Sequence, residues 1–388
     1  MKKKILIVTE RRADYSKFRP VLKKIQESPN LDYFLVVTGS HLLKAHGCTI
    51  NEIKSDNFKI SSKFSMYKKN DDTGSAMASS FGIAILKLTK IIKKLKPDLI
   101  LSGFDIGGNF AAAIIGAHMN IPVAHLEGGE VSGTIDESIR HGITKFSHLH
   151  FTSNKTAKER LIKMGENPKS IFVVGNPSLD NIIKIKKIPK SSIEKEFGLD
   201  LSKPYVVVLQ HTVTSEIAHI DKFVKETINA ILDLKIQAII VHGNADAGGK
   251  KLAKIIKNSK IKQYPSLPFS KYINLLQHAS ALVGNSSSGI MEAPFLHIPS
   301  INIGTRQTGR LRQPSIIDVN YNKNQIKNAI KKAVYDKSFQ KIIKKQKNQH
   351  GSGHASEKIV KILEQKDFSK ISIQKQLMYW YDPNCNNW

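Results

Sequence analysis

The sequence predicts an α/β protein built from two doubly wound halves that face each other across a cleft. Three observations point there. Short apolar runs alternate with amphipathic stretches along almost the whole chain, the βαβ pattern that makes parallel sheets with helices on both faces. The alternation breaks once, at Gly175-Asn-Pro-Ser-Leu-Asp180 and the lysine-rich stretch 181–203, and then begins again. A chain of 388 residues is also long for a single core.

The first half reads as strands at Lys4–Thr9, Tyr33–Thr38, Asp98–Ser102, Ile121–His125, His148–Thr152 and Ser170–Val174. Amphipathic segments at Lys17–Gln26, Ala84–Leu95, Asn109–His118 and Thr156–Met164 fill the gaps as helices. The second half reads as strands at Tyr205–Gln210, Ala238–His242, Ala281–Gly284 and Ser300–Ile303. Its helices are expected at Ser192–Phe197, Ser215–Leu234, Gly248–Lys257, Phe269–Gln277 and Gly289–Phe295. The boundaries follow as 1–178 for the first domain and 179–365 for the second. A tail over 366–388, ending in Tyr-Trp-Tyr-Asp-Pro, is expected to cross back to the first domain.

Composition excludes several classes. No run approaches the roughly 18 apolar residues of a membrane span, and the short apolar run after Met1-Lys-Lys-Lys4 reads as a first strand, not a signal peptide. Cys48 and Cys385 are far apart without metal-type spacing, so neither a zinc site nor a disulfide framework is expected. The reading is a cytoplasmic protein without a metal. The net charge of +28 comes from lysines dispersed along helical segments, with no aromatic-and-basic nucleic-acid motif. The partner expected is therefore a small anion, with neither nucleic acid nor membrane. Neither half carries G-x-G-x-x-G after its first strand, so a dinucleotide is not implied.

The chemistry is concentrated at strand ends, where open α/β sheets bind ligands. Ile121–Ala124 runs into His125, Glu127 and Glu130 among glycines, and then into Asp136, Glu137, Arg140 and His141 on what looks like the start of a helix capped by Thr134 or Asp136. Such a density of ionisable groups suggests acid–base work on a polar ligand. In the second half, Gly284-Asn-Ser-Ser-Ser-Gly289 ends a strand and opens a helix, a pattern suited to phosphate, with Ser286, Ser287, Ser288 and Gly289 as its contacts. Glu292, one turn on, could accept hydrogen bonds from a sugar diol. Arg306 and Arg310 follow another strand end in a glycine-containing loop, and Arg12 follows the first strand, so cations flank the cleft on both sides. His211 ends the Tyr205–Gln210 strand, where it could bind phosphate or move a proton. Asn244 lies in a similar small-residue turn, Val241-His-Gly-Asn-Ala-Asp-Ala-Gly-Gly249. Asp105 reads equally as a carboxylate turned into the cleft and as an N-cap for the helix near Asn109.

With these residues in view, the chain resembles the hydrolysing UDP-N-acetylglucosamine 2-epimerases, over nearly its whole length. The resemblance rests on His125-Leu-Glu-Gly-Gly-Glu130, Asp136-Glu-Ser-Ile-Arg-His141, Gly284-Asn-Ser-Ser-Ser-Gly289 and Asn302-Ile-Gly-Thr-Arg-Gln-Thr-Gly-Arg310, in that order. It implies a GT-B-like pair of Rossmann-like domains, a nucleotide-sugar substrate, no cofactor, and a homo-oligomer, dimer or tetramer. It also implies elimination of the nucleoside diphosphate followed by rehydration to the free 2-epimeric sugar. By resemblance Glu127 and Asp136 carry the acid–base work with Asp105 as a third carboxylate. Arg12, Arg306 and His211 stabilise the leaving diphosphate, and Ser287, Ser288 and Glu292 hold phosphate and ribose.

Two loops depart from the family pattern. The family's first loop has Gly-Thr before its arginine, where this chain has Glu10-Arg11 before Arg12. After the fourth strand the family shows Gly-Asp-Arg with a glutamate soon after. This chain has Gly103-Phe-Asp-Ile-Gly-Gly-Asn109, in which Asp105 stands for the aspartate and the arginine and glutamate are missing. Three other readings share these features: a hydrolysing epimerase of GDP-linked diacetamido sugars, a GT-B glycosyltransferase, and a nucleotide-sugar sensor without turnover.

Overall fold

The computed structural model describes residues 2–44, 47–67, 73–243 and 248–378. Two all-parallel sheets organise them, each with helices on both faces. The first contains β1 (Lys3–Thr9), β2 (Leu31–Val37), β3 (Ile60–Lys63), β4 (Leu99–Gly103), β5 (Val123–Leu126), β6 (Leu149–Thr152) and β7 (Ile171–Val173). Their order is β3-β2-β1-β4-β5-β6-β7. The second contains β8 (Tyr205–Leu209), β9 (Gln237–Val241), β10 (Lys262–Tyr264), β11 (Ala281–Gly284), β12 (Ser300–Ile303) and β13 (Ile316–Val319), in the order β10-β9-β8-β11-β12-β13. In both sheets the winding reverses beside the first strand, between β1 and β4 and between β8 and β11. These are the switch points at which such sheets hold ligands.

The central strands explain themselves. Ile5, Leu6, Ile7 and Val8 are at most 1% exposed, and Tyr205–Leu209 is buried throughout. Strands covered on both faces need continuous apolar runs, not alternation. The expected strands all occur, with shifts of a few residues at their ends. The structure adds β3, β10 and β13, which lie at sheet edges. It also adds helices Pro177–Lys184, Lys323–Tyr335, Lys337–Lys345 and Ala355–Gln365.

Helix Gly74–Leu95 corrects one expectation. At 22 residues it is long and apolar enough to cross a membrane by length and composition. Here its Ala84, Leu88 and Ile92 join the core beneath one face of the first sheet, beside Ala111–Ala113 of helix Gly107–His118.

The chain passes between the halves at two adjacent places. It leaves the first half at Gly175–Pro177 and returns near His350–Ala355. The return lies earlier than the expected 366–388 tail, because Ile359, Val360, Leu363 and Phe368 are part of the core of the first sheet. The two crossings touch through their backbones. Asn176 N–H donates to the His350 carbonyl at 2.7 Å. A Cβ on Gly351 would lie 3.0 Å from Gly175 Cα, and both residues have positive φ, so only glycine fits this contact comfortably. The buried Asp180 then caps the returning helix, accepting from the N–H groups of Ala355 (2.9 Å) and Ser356 (2.6 Å). Beyond it, Lys375 donates to the Thr144 carbonyl at 2.8 Å and pairs with buried Glu166 at 2.5 Å. The described part of the tail thus lies on the first half, while Tyr379–Pro383 falls outside the described residues.

Candidate active site

The carboxyl ends of the strands of both sheets meet in one cavity. From the first half it is lined by Arg11, Arg12, Lys17, Phe104, Asp105 and Asp136, and from the second by His211, Tyr272, Ser286–Ser288, Glu292, Arg306 and Arg310. Each side chain arrives from a strand-to-helix turn. Arg12 and Lys17 lie on the first turns of helix Arg12–Glu27 after β1, Asp105 follows β4, and Asp136 is in the first turn of helix Ile135–Phe146 after β5. Thr134 is that helix's N-cap, with its Oγ1 accepting from Asp136 N–H at 3.3 Å.

Asp105 does not cap a helix. The helix Gly107–His118 has Ile106 at its N-cap, with no side-chain cap bond. The Asp105 carboxylate instead sits between two guanidiniums, Arg11 at 2.8 Å and the fully buried Arg140. Burial would raise its pKa, but Arg140 and Arg11 hold it well below the usual carboxylate range. Asp105 is therefore an anion at neutral pH. Asp136 faces the opposite half, 3.8 Å from Arg306.

Glu127 lies one step behind the cavity wall. It is 2% exposed and its Oε2 is 2.6 Å from Lys17 Nζ, so the wall is lined by Lys17 and not by Glu127 itself. Its other oxygen, Oε1, is buried without a hydrogen-bond partner among the described residues. Both Glu127 (φ +58°) and Phe104 (φ +70°) occupy the left-handed region. Non-glycine residues there carry strain of about 1 kcal/mol or more, held in place by surrounding structure. Glu127 N–H is fixed to the Phe151 carbonyl (2.9 Å) and Phe104 N–H to the Leu126 carbonyl (3.2 Å).

On the second half the serine loop differs from expectation. Ser287–Gly289 forms a single 3-10 turn, and an α-helix of only four residues follows at Glu292–Phe295. The continuous helix Gly289–Phe295 does not form, and Pro294 within it lacks an N–H. Ser286, Ser287 and Ser288 line the cavity, whereas Gly289 does not. Gly289 serves packing: a Cβ there would meet Ser300 Oγ at 2.3 Å. Ser288 shares a 2.7 Å hydrogen bond with Tyr272, and Ser286 Oγ accepts from Ser288 N–H at 3.2 Å. Burial pushes the Glu292 carboxyl upward. His211 is held neutral, because burial and the nearby Arg306 lower its pKa far below neutrality. It can hydrogen-bond to an anion but does not bring a positive charge. Asn244 lies outside the described residues.

The two halves touch across the cavity. Arg12 donates to Ser266 Oγ at 2.5 Å and to the Leu267 carbonyl. Arg310 Nε donates to the Val131 carbonyl at 2.8 Å, and Gly133 N–H to the Arg306 carbonyl at 2.9 Å. The cavity has a volume of about 120 Å³, against roughly 300–1,000 Å³ for ordinary small-molecule pockets. These contacts narrow the space between the halves. At Gly133 an added Cβ would lie 2.0 Å from the Thr305 carbonyl oxygen. Gly133→Ala is therefore expected to wedge the halves apart and raise KM about 10-fold or more, since closure positions the groups of the site. A steady-state titration with an unchanged KM would remove closure from the account of binding.

Lys17, Gln307 and the pair Phe269 and Tyr272 also line the cavity and were not singled out from the sequence. Ala13 and Lys17 share a face by their i, i+4 spacing, as Phe269 and Tyr272 do by i, i+3. That spacing, downstream of a strand end, is the signal that could have found them.

Comparison with known proteins agrees with this geometry. Residues 23–364 match the family described as UDP-N-acetylglucosamine 2-epimerase. The chain is 36% identical over 367 residues to the UDP-N,N'-diacetylbacillosamine 2-epimerase (hydrolyzing) of Legionella pneumophila, covering 94% of this chain and 96% of that one. It is 36% identical over 328 residues to the UDP-N-acetylglucosamine 2-epimerase of Neisseria meningitidis, covering 84% and 85%. A solved structure of a Neisseria meningitidis UDP-GlcNAc 2-epimerase bound to UDP-GlcNAc superposes with a TM-score of 0.81 over 94% of this chain and all of that one, at 18% identity. The two-sheet architecture is thus the GT-B-like one. The chain belongs to the UDP-N-acetylglucosamine 2-epimerase family.

Proposed function

We propose that this protein is a hydrolysing 2-epimerase that converts a UDP-linked N-acetylhexosamine into UDP and the free 2-epimeric sugar. The observation that carries this reading is the cavity itself. Carboxylates Asp105 and Asp136 stand on one side, and Arg306, Arg310 and a row of serines stand on the other.

The chemistry assigns each side a task. A base removes the C2 proton, and the C–H electron pair becomes the C1=C2 double bond. The C1–O bond breaks and its electrons leave on the diphosphate oxygen, where Arg306, Arg12 and neutral His211 offer donors. Water then adds to C1 while a proton returns to C2 on the opposite face. Asp136 and Glu127 are the groups assigned to the proton transfers, with Lys17 linking Glu127 to the cavity. Ser287, Ser288 and Glu292 are assigned to phosphate and ribose.

A second reading concerns only the sugar. The Legionella pneumophila relative is named for UDP-N,N'-diacetylbacillosamine, and it matches over almost the whole chain. An incubation with UDP- and GDP-linked N-acetylhexosamines and their diacetamido analogues separates these readings from a GT-B transferase or a sensor. In heavy water the released sugar should carry deuterium at C2. Full turnover without deuterium at C2 would show simple hydrolysis and exclude elimination.

A further inference from the structure

The two loops that depart from the family pattern touch each other in the fold. Glu10, at the end of β1, is 4% exposed and turns its carboxylate toward the loop after β4. Its Oε2 accepts from Gly108 N–H at 2.7 Å, and its Oε1 accepts from the Tyr67 hydroxyl. Gly108 is in the first turn of helix Gly107–His118, where N–H groups lack helical partners and negative charge is favoured. Glu10 therefore caps, from another loop, a helix whose own N-cap residue gives no side-chain bond.

Space has been cleared for that carboxylate. A Cβ on Gly108 would lie 3.0 Å from Glu10 Oε2, and a Cβ on Gly39 would lie 2.2 Å from Glu10 Cγ. Next to it, Arg11 reaches Asp105 at 2.8 Å, on the oxygen not taken by Arg140. Asp14 holds both donors' backbones, accepting from Glu10 N–H and Arg11 N–H at 2.8 Å each.

Arg11 and Glu10, in the first departing loop, thus bring a guanidinium to the Asp105 carboxylate and a carboxylate to Gly108 N–H in the second. We propose that Glu10 and Arg11 form the positioning pair of Asp105, supplying from the first loop the carboxylate and guanidinium that the family pattern carries on the second. The guanidinium fixes the Asp105 carboxylate. The glutamate fixes the backbone that presents it. The activity arm of this inference rests on the nucleotide-sugar reading of the site.

The test is an exchange in the full-length protein. Glu10→Gly, Gly108→Glu and the double variant are compared with the parent by melting temperature and by kcat and KM for nucleotide release. Glu10→Gly is expected to lower kcat roughly 10²-fold with little change in KM, the scale of a ~1 Å misplacement. Gly108→Glu alone drives a second carboxylate into the first and loses both stability and kcat. The double variant is expected to recover much of the melting temperature and of kcat, a coupling that independent sites do not show. A double variant no better in kcat than the worse single one overturns the proposal, even if its melting temperature recovers. Should Glu10→Gly fail to fold, Arg11→Lys and Arg11→Thr decide. Lysine keeps a cation at Asp105 and should retain far more kcat than threonine, and equal kcat would overturn the pair's role. If the parent releases nucleotide from no sugar tested, the proposed function fails separately. The melting temperatures then still report whether residues 10 and 108 share one space: recovery in the double variant supports the exchange, and simple additivity overturns it.

Discussion

Asp136→Asn is expected to lower kcat by roughly 10²–10⁴-fold, the usual cost of losing acid–base catalysis, with KM nearly unchanged. The asparagine keeps the shape and the position at the start of helix Ile135–Phe146, but it cannot take a proton. Asp136 is on the cavity wall and within 3.8 Å of Arg306, so its charge lies beside the proposed leaving group. Glu127→Gln is the companion experiment. Glu127 meets the cavity through Lys17, 2.6 Å away, so the amide also strips Lys17 of its counter-charge. A fall in kcat of the same size is expected. Either variant retaining near-normal kcat would remove that residue from the proton-transfer scheme.

Arg140→Met should be the most destabilising single change in the site. Arg140 is fully buried, pairs with Asp105 and donates to the Glu130 carbonyl at 3.3 Å. Removing one partner of a buried ion pair costs about 3–5 kcal/mol, because the remaining charge is left uncompensated. Arg11 still neutralises part of Asp105, so the lower end of that range is expected. Urea unfolding measures it, and a loss under about 1 kcal/mol would show that Arg11 alone suffices, well below the buried-pair range.

The inner strands were legible in the sequence because burial on both faces forces unbroken apolar runs, as in Ile5–Val8 and Val206–Val208. The edges were not. β3 is Ile-Ser-Ser-Lys and β10 is Lys-Gln-Tyr, short and polar because one side lacks a neighbouring strand. Much of the cavity wall was legible too, since its charged and hydroxyl groups cluster just after strand ends. Contacts that depend on the third dimension were not. Nothing in the spacing of Glu127 and Lys17, on separate elements, announces their ion pair, and the link between Glu10 and Gly108 spans two loops far apart in sequence. Gly289 shows the reverse case: a residue in the right motif whose job is to let Ser300 approach.

The contact between Gly175 and Gly351 has a mechanical meaning. Two segments of chain pass side by side through one point, as the limbs of a pair of tongs meet at the pin, and beside it Asn181 Nδ2 donates to the Ser16 carbonyl, so helix Pro177–Lys184 also ties the halves together. The jaws of these tongs are the arginine loops and the carboxylate loop, which here bring Arg306 to 3.8 Å from Asp136. On the proposed function, opening at this point would put the free energy of shutting the jaws into substrate affinity and the time to open them into turnover. A side chain at 351 would act as a shim at the pin. It would alter kcat and KM together without touching any residue that meets the sugar.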